Sequence, residues 1–286
     1  MRILTILTCA SLLLFSCKKE VGSTNTNTNT NNNNNNNPPD SSVNKADTSA
    51  LGKFVKAAGI TDATLKVSLD SLISKARAHG WWDLCSAIYP LAGGTSSSSS
   101  FNLKDTAAYH ITWSGSPAFA NAGASFDGVS YGNTGLNDSI LAYNDAHMSF
   151  FSKSEDTTID QWVMGVDDAQ VPSNEFSITN AGFRQAVAYF FTTNGTFSTI
   201  QASTIGWYLV SSNSTDVRIY KDGADVTSTT TSPIDAHSNN TFLIGSSRGI
   251  TGTNAQCAFA TIGRNVDSTT AAAMYADIRD FVNEKQ

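Results

Sequence analysis

The sequence predicts a mainly β protein, a two-sheet sandwich preceded by a short helical hairpin and followed by a C-terminal helix. After Pro90, short runs of β-branched and aromatic residues alternate with turn signals such as Asn194-Gly195 and Asp222-Gly223. The runs recur about every dozen residues without intervening helices, which is typical of sandwiches rather than of βαβ units. Helical periodicity is confined to residues 50–84 and to the end of the chain.

The composition and the distribution of charge indicate that nucleic acids are not partners. Charged residues make up only 15% of the 286-residue chain, and the formal net charge is −6. The 18 basic residues form no run longer than Lys18-Lys19. Because binding to nucleic acid by counterion release needs clustered Lys and Arg, we do not expect nucleic acid as a partner.

The first sixteen residues predict export. Arg2 precedes an apolar run from Ile3 to Phe15, whose length fits a secretory signal and is too short to span a bilayer. The run ends in Leu14-Phe15-Ser16-Cys17, which resembles the lipobox of bacterial lipoproteins. The resemblance implies cleavage after residue 16 and lipidation of Cys17. The alternative is an ordinary secreted protein in which Cys17 is incidental.

Residues 17–49 predict a lipidated cysteine followed by a disordered tether. Thr and Asn alternate from Thr24 to Thr30, and seven consecutive Asn follow before Pro38-Pro39. Such a segment buries too little apolar surface to offset the entropy of ordering. A flexible coil of this length reaches roughly 30 Å, which would hold a domain clear of the membrane surface.

Residues 50–84 predict a helical hairpin. Leu65, Leu69, Leu72, Ile73 and Ala76 form one apolar stripe at helical spacing. Start and stop signals flank this stripe, Thr61-Asp62 before it and His79-Gly80 after it. A shorter helix is expected over residues 51–58, ending at Gly59.

Residues 85–286 predict the β sandwich and its closing helix. Asn194-Gly195 and Asp222-Gly223 each lie between aromatic or β-branched runs, as expected of tight hairpins. The tail from Ser268 to Val282 turns helical again. Its predicted apolar face consists of Ala272, Tyr275, Ile278 and Phe281.

Several motifs resemble the laminin G-like, concanavalin A-like jelly rolls. They are ASFDGVSYG (124–132), HMSFFSKSE (147–155), VRIYKDGADV (217–226), TFLIGSS (241–247) and the closing stretch 259–278. Residues 54–105 resemble a lead-in found before such domains in phage and prophage structural proteins and in some bacterial surface proteins. The resemblance implies a jelly roll. It does not set the function, since this fold hosts lectins, glycanases, adhesins and structural modules.

Two cysteines remain for the folded part, Cys85 and Cys257. In an oxidising compartment they could pair, because the first and last strands of a sandwich are often neighbours. The alternative is two separate buried thiols. The spacing of Cys and His does not indicate a zinc site.

The sequence offers no catalytic constellation, and we expect no enzyme activity. Glycanases need two carboxylates flanking the bond that is cleaved. The chain has only four Glu, and the nearest acidic cluster, Glu155 with Asp156 and Asp160, has the wrong spacing for one strand face. G-x-S-x-G occurs around Ser130 and Ser247, but a nucleophile elbow needs a strand-to-helix turn and a later His. Ser130 lies in a β-only stretch with no helix after it, and no His follows Ser247.

The candidate ligand residues are of two kinds, acidic and aromatic. We expect no cofactor, although calcium stays open because Asp residues lie in or near predicted loops; they are Asp127, Asp138, Asp145, Asp167 and Asp168. Sugar binding would use aromatic platforms, for which the five Trp are the candidates. Trp82 and Trp207 fit core packing better. Trp113, just before a turn, is the predicted ligand-binding residue.

The combined prediction is a cell-envelope lipoprotein held by its lipid in a membrane, which we expect to be the outer membrane, facing either the periplasm or the exterior. Its first predicted function is a non-catalytic binding module for a glycan or a surface protein. The alternatives are a phage-derived structural or adhesion protein without a small ligand, and a polysaccharide-active enzyme.

Overall fold

The computed structural model describes residues 49–155, 161–166, 174–179, 184–235, 237–247, 249 and 252–285. The predicted signal peptide, Cys17 and nearly all of the tether lie outside the described residues. So do Asp156, Asp160, Asp167 and Asp168.

Three α-helices are described: α1 (Ala50–Ala57), α2 (Ala63–Ala78) and α3 (Ser268–Glu284). The side chain of Asp62 accepts the Leu65 N–H at 3.0 Å and caps α2, as the start signal predicts. All five residues of the predicted stripe on α2 are buried. Within the described part of the chain, no helix is long and apolar enough to cross a membrane.

The described strands form two antiparallel sheets of eight strands each. Sheet A contains β1 (Cys85–Tyr89), β3 (Ala118–Ala120), β4 (Gly123–Ser125), β6 (Ala146–Ser152), β11 (Gly206–Ser212), β12 (Val217–Lys221), β13 (Ala224–Asp225) and β16 (Gln256–Gly263). Sheet B contains β2 (Thr112–Ser114), β5 (Tyr131–Asn137), β7 (Gln161–Val166), β8 (Glu175–Thr179), β9 (Val187–Tyr189), β10 (Thr196–Ser198), β14 (Thr227–Thr229) and β15 (Thr241–Ile244). The predicted two-sheet sandwich is confirmed.

The order of strands is not the order of the chain. Sheet A runs β13-β12-β11-β6-β16-β4-β3, with β1 also paired to β16. Sheet B runs β14-β10-β9-β8-β7-β15-β5-β2. The chain therefore crosses between the sheets repeatedly, so many neighbouring strands are distant in sequence.

Both predicted strand pairs form hairpins, but only the one at Asp222-Gly223 is tight. Strands β12 and β13 are joined by Asp222 and Gly223 alone, and both adopt positive φ, +51° and +81°. Two positive φ values define the type I′ turn, which is why Asn-Gly and Asp-Gly predict it. Strands β9 and β10 also pair, but residues 190–195 connect them, so Asn194-Gly195 ends a six-residue loop and does not form the predicted tight turn.

Two cores separate three layers. One core lies between the sheets and includes Met148 and Phe150 from β6 with Phe242 from β15. The other lies between sheet A and the helices and includes Phe151 and Phe259. Alternate residues of β6 thus face opposite cores, as the strand period of two requires. The predicted helical lead-in packs with α3 on the outer face of sheet A.

The buried face of α3 is rotated from the predicted one. Ile278 and Phe281 are buried as expected, but Ala272 is exposed and Tyr275 only half-buried. The remaining buried positions are Ala271, Met274, Asp277 and Val282. Tyr275 lies at the margin, where its ring stacks on Trp207 with centroids 6.3 Å apart.

The disulfide considered for Cys85 and Cys257 does not form; both are free, buried thiols. Cys85 is opposite Gly263 on β16, six residues from Cys257 along the same strand. At about 3.3 Å per residue the two Cα atoms are roughly 20 Å apart, far beyond the reach of a disulfide. Their side chains also belong to different cores, Cys85 to the helix side and Cys257 to the inter-sheet side.

Candidate functional site

The outer face of sheet B is the broad sheet surface that the described helices leave uncovered. The outer face of sheet A packs on α2 and α3 through residues such as Leu69, Trp207 and Ile278. No described helix contributes to the core that contains sheet B. Side chains that point outward from sheet B are therefore the first candidates for ligand contact.

Three half-buried aromatic side chains, Trp162, Tyr189 and Phe197, form what we call the aromatic face. They come from β7, β9 and β10. The rings of Trp162 and Tyr189 meet edge to face, with centroids 6.0 Å apart and planes at 65°. A Cβ placed on Gly195 would lie 3.0 Å from the Phe197 ring and 3.4 Å from the Tyr189 ring, so these two rings converge beside the hairpin turn.

Local sequence explains why these rings point outward. On β9, Ala188 packs in the inter-sheet core, so its neighbour Tyr189 faces the opposite side. On β7, the register shifts around Trp162, and both Val163 and Met164 reach the inter-sheet core. A bulge of this kind re-aims one side chain, and here it leaves Trp162 on the outer face.

A buried carboxylate lies beside the aromatic face. Glu175 of β8 is directly opposite Tyr189 in the register and is only 1% exposed. The Ser247 hydroxyl donates to Glu175 Oε1 at 3.0 Å. A Cβ on Gly165 would lie 2.7 Å from the Ser247 Cβ, so glycine at 165 makes room for the segment that carries Ser247 over the sheet.

Polar groups continue the same row of the sheet. Asn133 of β5 is opposite Thr112 on β2 and Leu243 on β15, and Leu243 is in turn opposite Gly165. Asn133 and Tyr189 are four strands apart, about 19 Å at normal strand spacing. Leu243 and Glu175, which lie between them in the row, are buried, so Asn133 and the aromatic face are separate parts of the sheet surface.

Trp113, the residue predicted to bind a ligand, does not belong to the aromatic face. It is half-buried on the edge strand β2 and packs against the inter-sheet core. Its indole N–H donates to the Ser96 carbonyl at 3.0 Å and to the Ser100 hydroxyl at 2.9 Å. Its ring meets Phe119 edge to face at 4.9 Å. Its role as a sugar platform stays a prediction.

The other tryptophans divide as the sequence indicates. Trp82 and Trp207 are core residues, as expected, and Trp81 is also fully buried. Trp162 is thus the one tryptophan that joins the aromatic face. The sequence indicates Trp162 only as one of five candidate tryptophans. It does not indicate Tyr189, Phe197 or Glu175. The only signal in the sequence for these residues is the alternation of inward and outward side chains along β7, β9 and β10.

Asp127, Asp138 and Asp145 are the described residues among the candidate calcium ligands. They accept hydrogen bonds from backbone N–H groups or form ion pairs. Asp127 accepts the Ser130 backbone N–H at 2.8 Å, and Asp145 pairs with Arg264 at 2.8 Å. Asp138 is fully buried and accepts the backbone N–H groups of Ser238 and Asn239. Among the described residues, no three His, Cys, Asp or Glu are grouped as a metal site would require.

The residues of the G-x-S-x-G motifs and of the acidic cluster at Glu155 are engaged in packing and hydrogen bonds. Ser130 is buried, and Ser247 is bonded to Glu175. Hydrogen bonds from Ser203 and Thr204, with the charge of Arg184, lower the pKa of Glu155. Glu155 is therefore held ionised by the segment around residue 204. Its two predicted acidic neighbours lie outside the described residues.

Comparison with known proteins identifies the class of fold. No protein-family model matches the chain, and the comparison with curated proteins finds no match. Among solved structures, Trypanosoma rangeli sialidase in complex with 2,3-difluorosialic acid has a TM-score of 0.50 at 9% identity, over 73% of this chain and 38% of that chain. A mutant of the same sialidase displaying trans-sialidase activity also gives 0.50, over 74% and 38%.

A third similar structure is domain 4 of AbnA, an extracellular arabinanase from Geobacillus stearothermophilus, in complex with arabinotriose. It has a TM-score of 0.42 at 14% identity, over 66% of this chain and 97% of that chain. This chain spans less than two-fifths of the length of the sialidase chain. At these identities the likeness shows the fold alone: the protein contains a β-sandwich domain.

Proposed function

We propose that the protein is a non-catalytic glycan-binding module displayed on the cell envelope, with the aromatic face as its sugar platform. The observation that carries the proposal is the half-exposed Trp162–Tyr189 pair, beside Phe197, on the sheet surface left open by the helices. Sugar rings expose C–H groups on their faces, which stack on aromatic rings, while their hydroxyls bond to amides and carboxylates.

The surroundings of the aromatic face support a binding role and not a catalytic one. Glu175 is buried and its carboxylate already accepts a hydrogen bond from Ser247. Glycoside cleavage needs a second carboxyl about 5–9.5 Å away, across the sugar. The likeness to a sialidase supports the fold, and it names no sugar for this chain.

Glycan binding is tested with the purified full-length protein on a broad polysaccharide and glycan array, followed by titration of the strongest ligand. We expect Trp162→Ala and Tyr189→Ala each to weaken binding about tenfold, because each removes a stacking surface worth roughly 1–1.5 kcal/mol. The array is repeated with calcium and with a chelator, which decides the open question of a metal.

Trp113→Ala is the matched control, since it removes a half-buried indole from a different part of the sandwich. Binding that is lost in this variant and retained in Trp162→Ala would move the site to Trp113. A blank array from protein shown to be folded by circular dichroism would contradict the proposal. That result would favour the structural or adhesion alternative.

We propose further that Cys17 is lipidated and that the Asn/Thr-rich tether holds the module off the membrane. Several acyl chains give a stable anchor at about 0.8 kcal/mol per buried methylene, whereas one chain does not. We expect Cys17→Ser to move the protein from the membrane fraction to the soluble fraction of lysed cells. A variant that stays in the membrane fraction would contradict the anchor; Cys85→Ser controls for loss of a thiol elsewhere.

A further inference from the structure

A cleft lies on the side of the sandwich opposite the aromatic face, where the β12–β13 hairpin of sheet A meets the start of α3. Its volume is about 420 Å³, within the range of roughly 300–1,000 Å³ typical of small-molecule sites. The side chains that matter are Asp216, Arg218, Tyr220, Asp225 and Asp267. We call it the acidic cleft.

The acidic cleft carries three carboxylates and one guanidinium, −3 + 1 = −2 in formal charge. Arg218 Nε donates to Asp216 Oδ2 at 2.9 Å, whereas its Nη1 reaches Asp225 only at 3.4 Å. Hydrogen bonds from Arg218 lower the pKa of Asp216, and those from Thr270 lower the pKa of Asp267. Asp225 accepts the Thr227 N–H through Oδ1 at 2.9 Å, so Oδ2, with its long contact to Arg218, is the oxygen of this carboxylate that can accept a closer donor.

The Tyr220 hydroxyl is the second feature of the cleft. The side chain lines the cleft, yet the residue is only 5% exposed. Burial raises its pKa to about 12, and the charges of Asp225, Arg218, Asp267 and Asp216 also act on it. The phenol therefore stays a hydrogen-bond donor at neutral pH. Among the described residues its hydroxyl has no hydrogen-bond partner, so it is available to a ligand that fills the cleft.

We propose that the acidic cleft binds a hydroxylated primary amine of monosaccharide size, an amino sugar with a free ammonium group. The negative charge of the cleft attracts the ammonium, and Asp225 Oδ2, which Arg218 reaches only at 3.4 Å, can accept a shorter hydrogen bond from it. Tyr220 supplies the donor that a sugar hydroxyl or ring oxygen accepts. This site is separate from the aromatic face and does not depend on the proposed function.

The test is isothermal titration of the full-length protein at pH 6.5 with four sugars: glucosamine, N-acetylglucosamine, glucose and glucuronate. We expect saturable binding of glucosamine alone, because acetylation removes the positive charge and glucuronate is repelled. Asp225→Asn should weaken glucosamine binding at least tenfold, as the loss of a charge-assisted hydrogen bond does. Tyr220→Phe, which keeps the ring, should weaken it about three- to tenfold.

Two control variants show whether glucosamine binds at the acidic cleft. Asp83→Asn removes a carboxylate whose side chain is 92% exposed elsewhere on the surface, and it should leave binding unchanged. Trp162→Ala should also leave glucosamine binding unchanged, so failure of the glycan-binding proposal and failure of this one are distinguishable. Equal binding of glucosamine and glucose, absence of glucosamine binding, or binding unaltered in both cleft variants would each overturn the proposal.

Discussion

Replacing Asp277 by Ala is expected to lower the free energy of unfolding by about 3 kcal/mol, because it removes the acceptor of a buried donor. Asp277 on α3 is 3% exposed, and its Oδ2 accepts the Trp81 indole N–H at 2.8 Å. The same oxygen is 2.8 Å from His79 Nδ1. Trp81 and His79 both lie just after α2, so one carboxylate fastens the N-terminal helical hairpin to the C-terminal helix.

The loss is measured by urea unfolding of the variant beside two others. Asp280→Ala, on the same helix, breaks an ion pair with Lys75 in which both side chains are more than a third exposed, and it should cost less than about 1 kcal/mol. Asp277→Asn keeps an oxygen for the Trp81 N–H and should fall between the two. Equal unfolding free energies for Asp277→Ala and Asp280→Ala would show that the buried bond is not what holds these elements together.

Acid is expected to destabilise the protein through His147 before most carboxylates are protonated. His147 on β6 is fully buried; Nδ1 lies against the Arg264 carbonyl and Nε2 is 3.0 Å from the Thr261 hydroxyl. Burial lowers the pKa of its imidazole from 6.5 to about 4. Between these values the unfolded chain binds more protons than the folded one, so stability is full above pH 6.5 and is lost as the pH falls to 4.

The expected loss from this residue approaches about 3 kcal/mol at the end of that window, since each pKa unit is worth 1.36 kcal/mol. It is measured as the difference in unfolding free energy between pH 7 and pH 4.5, which should be smaller in His147→Gln. His110→Gln, at an exposed ring, should keep the wild-type difference. Burial lowers the pKa of Lys285 to about 7, so this residue should change the stability mainly above pH 7. It is present in all three proteins and does not affect the comparison. An unchanged pH dependence in His147→Gln would contradict the assignment.

Sequence periodicity was a sufficient guide wherever the structure depends on near neighbours. The stripe on α2 and its Asp62 cap, and the two-residue turn at Asp222-Gly223, follow from contacts within a few residues. The failure at α3 has a physical cause. Its polar Asp277 is buried because Trp81, 196 residues earlier, needs an acceptor, and the helix is turned accordingly. No apolar pattern on the helix could indicate that.

The candidate site could not be predicted from the sequence either, because it also depends on contacts between residues far apart in the chain. Trp162, Tyr189 and Phe197 are brought together from three strands by the order of sheet B, and Trp162 faces outward through a local shift in register. Trp113, by contrast, precedes a turn as expected, yet its indole N–H is bonded to the segment around Ser96 and Ser100. Proximity to a turn predicts exposure only when nothing distant packs against the side chain.

By itself, the sequence determined the class of the fold, the helices at either end and the hairpins, because strand and helix periods and turn residues are local properties of the chain. Only the tertiary structure decided which sheet face the helices cover, whether Cys85 and Cys257 meet, and which aromatic rings and carboxylates line a surface. These depend on strand order and on the packing of segments far apart in the chain. A pattern within one segment carries no information on which distant segment will lie against it.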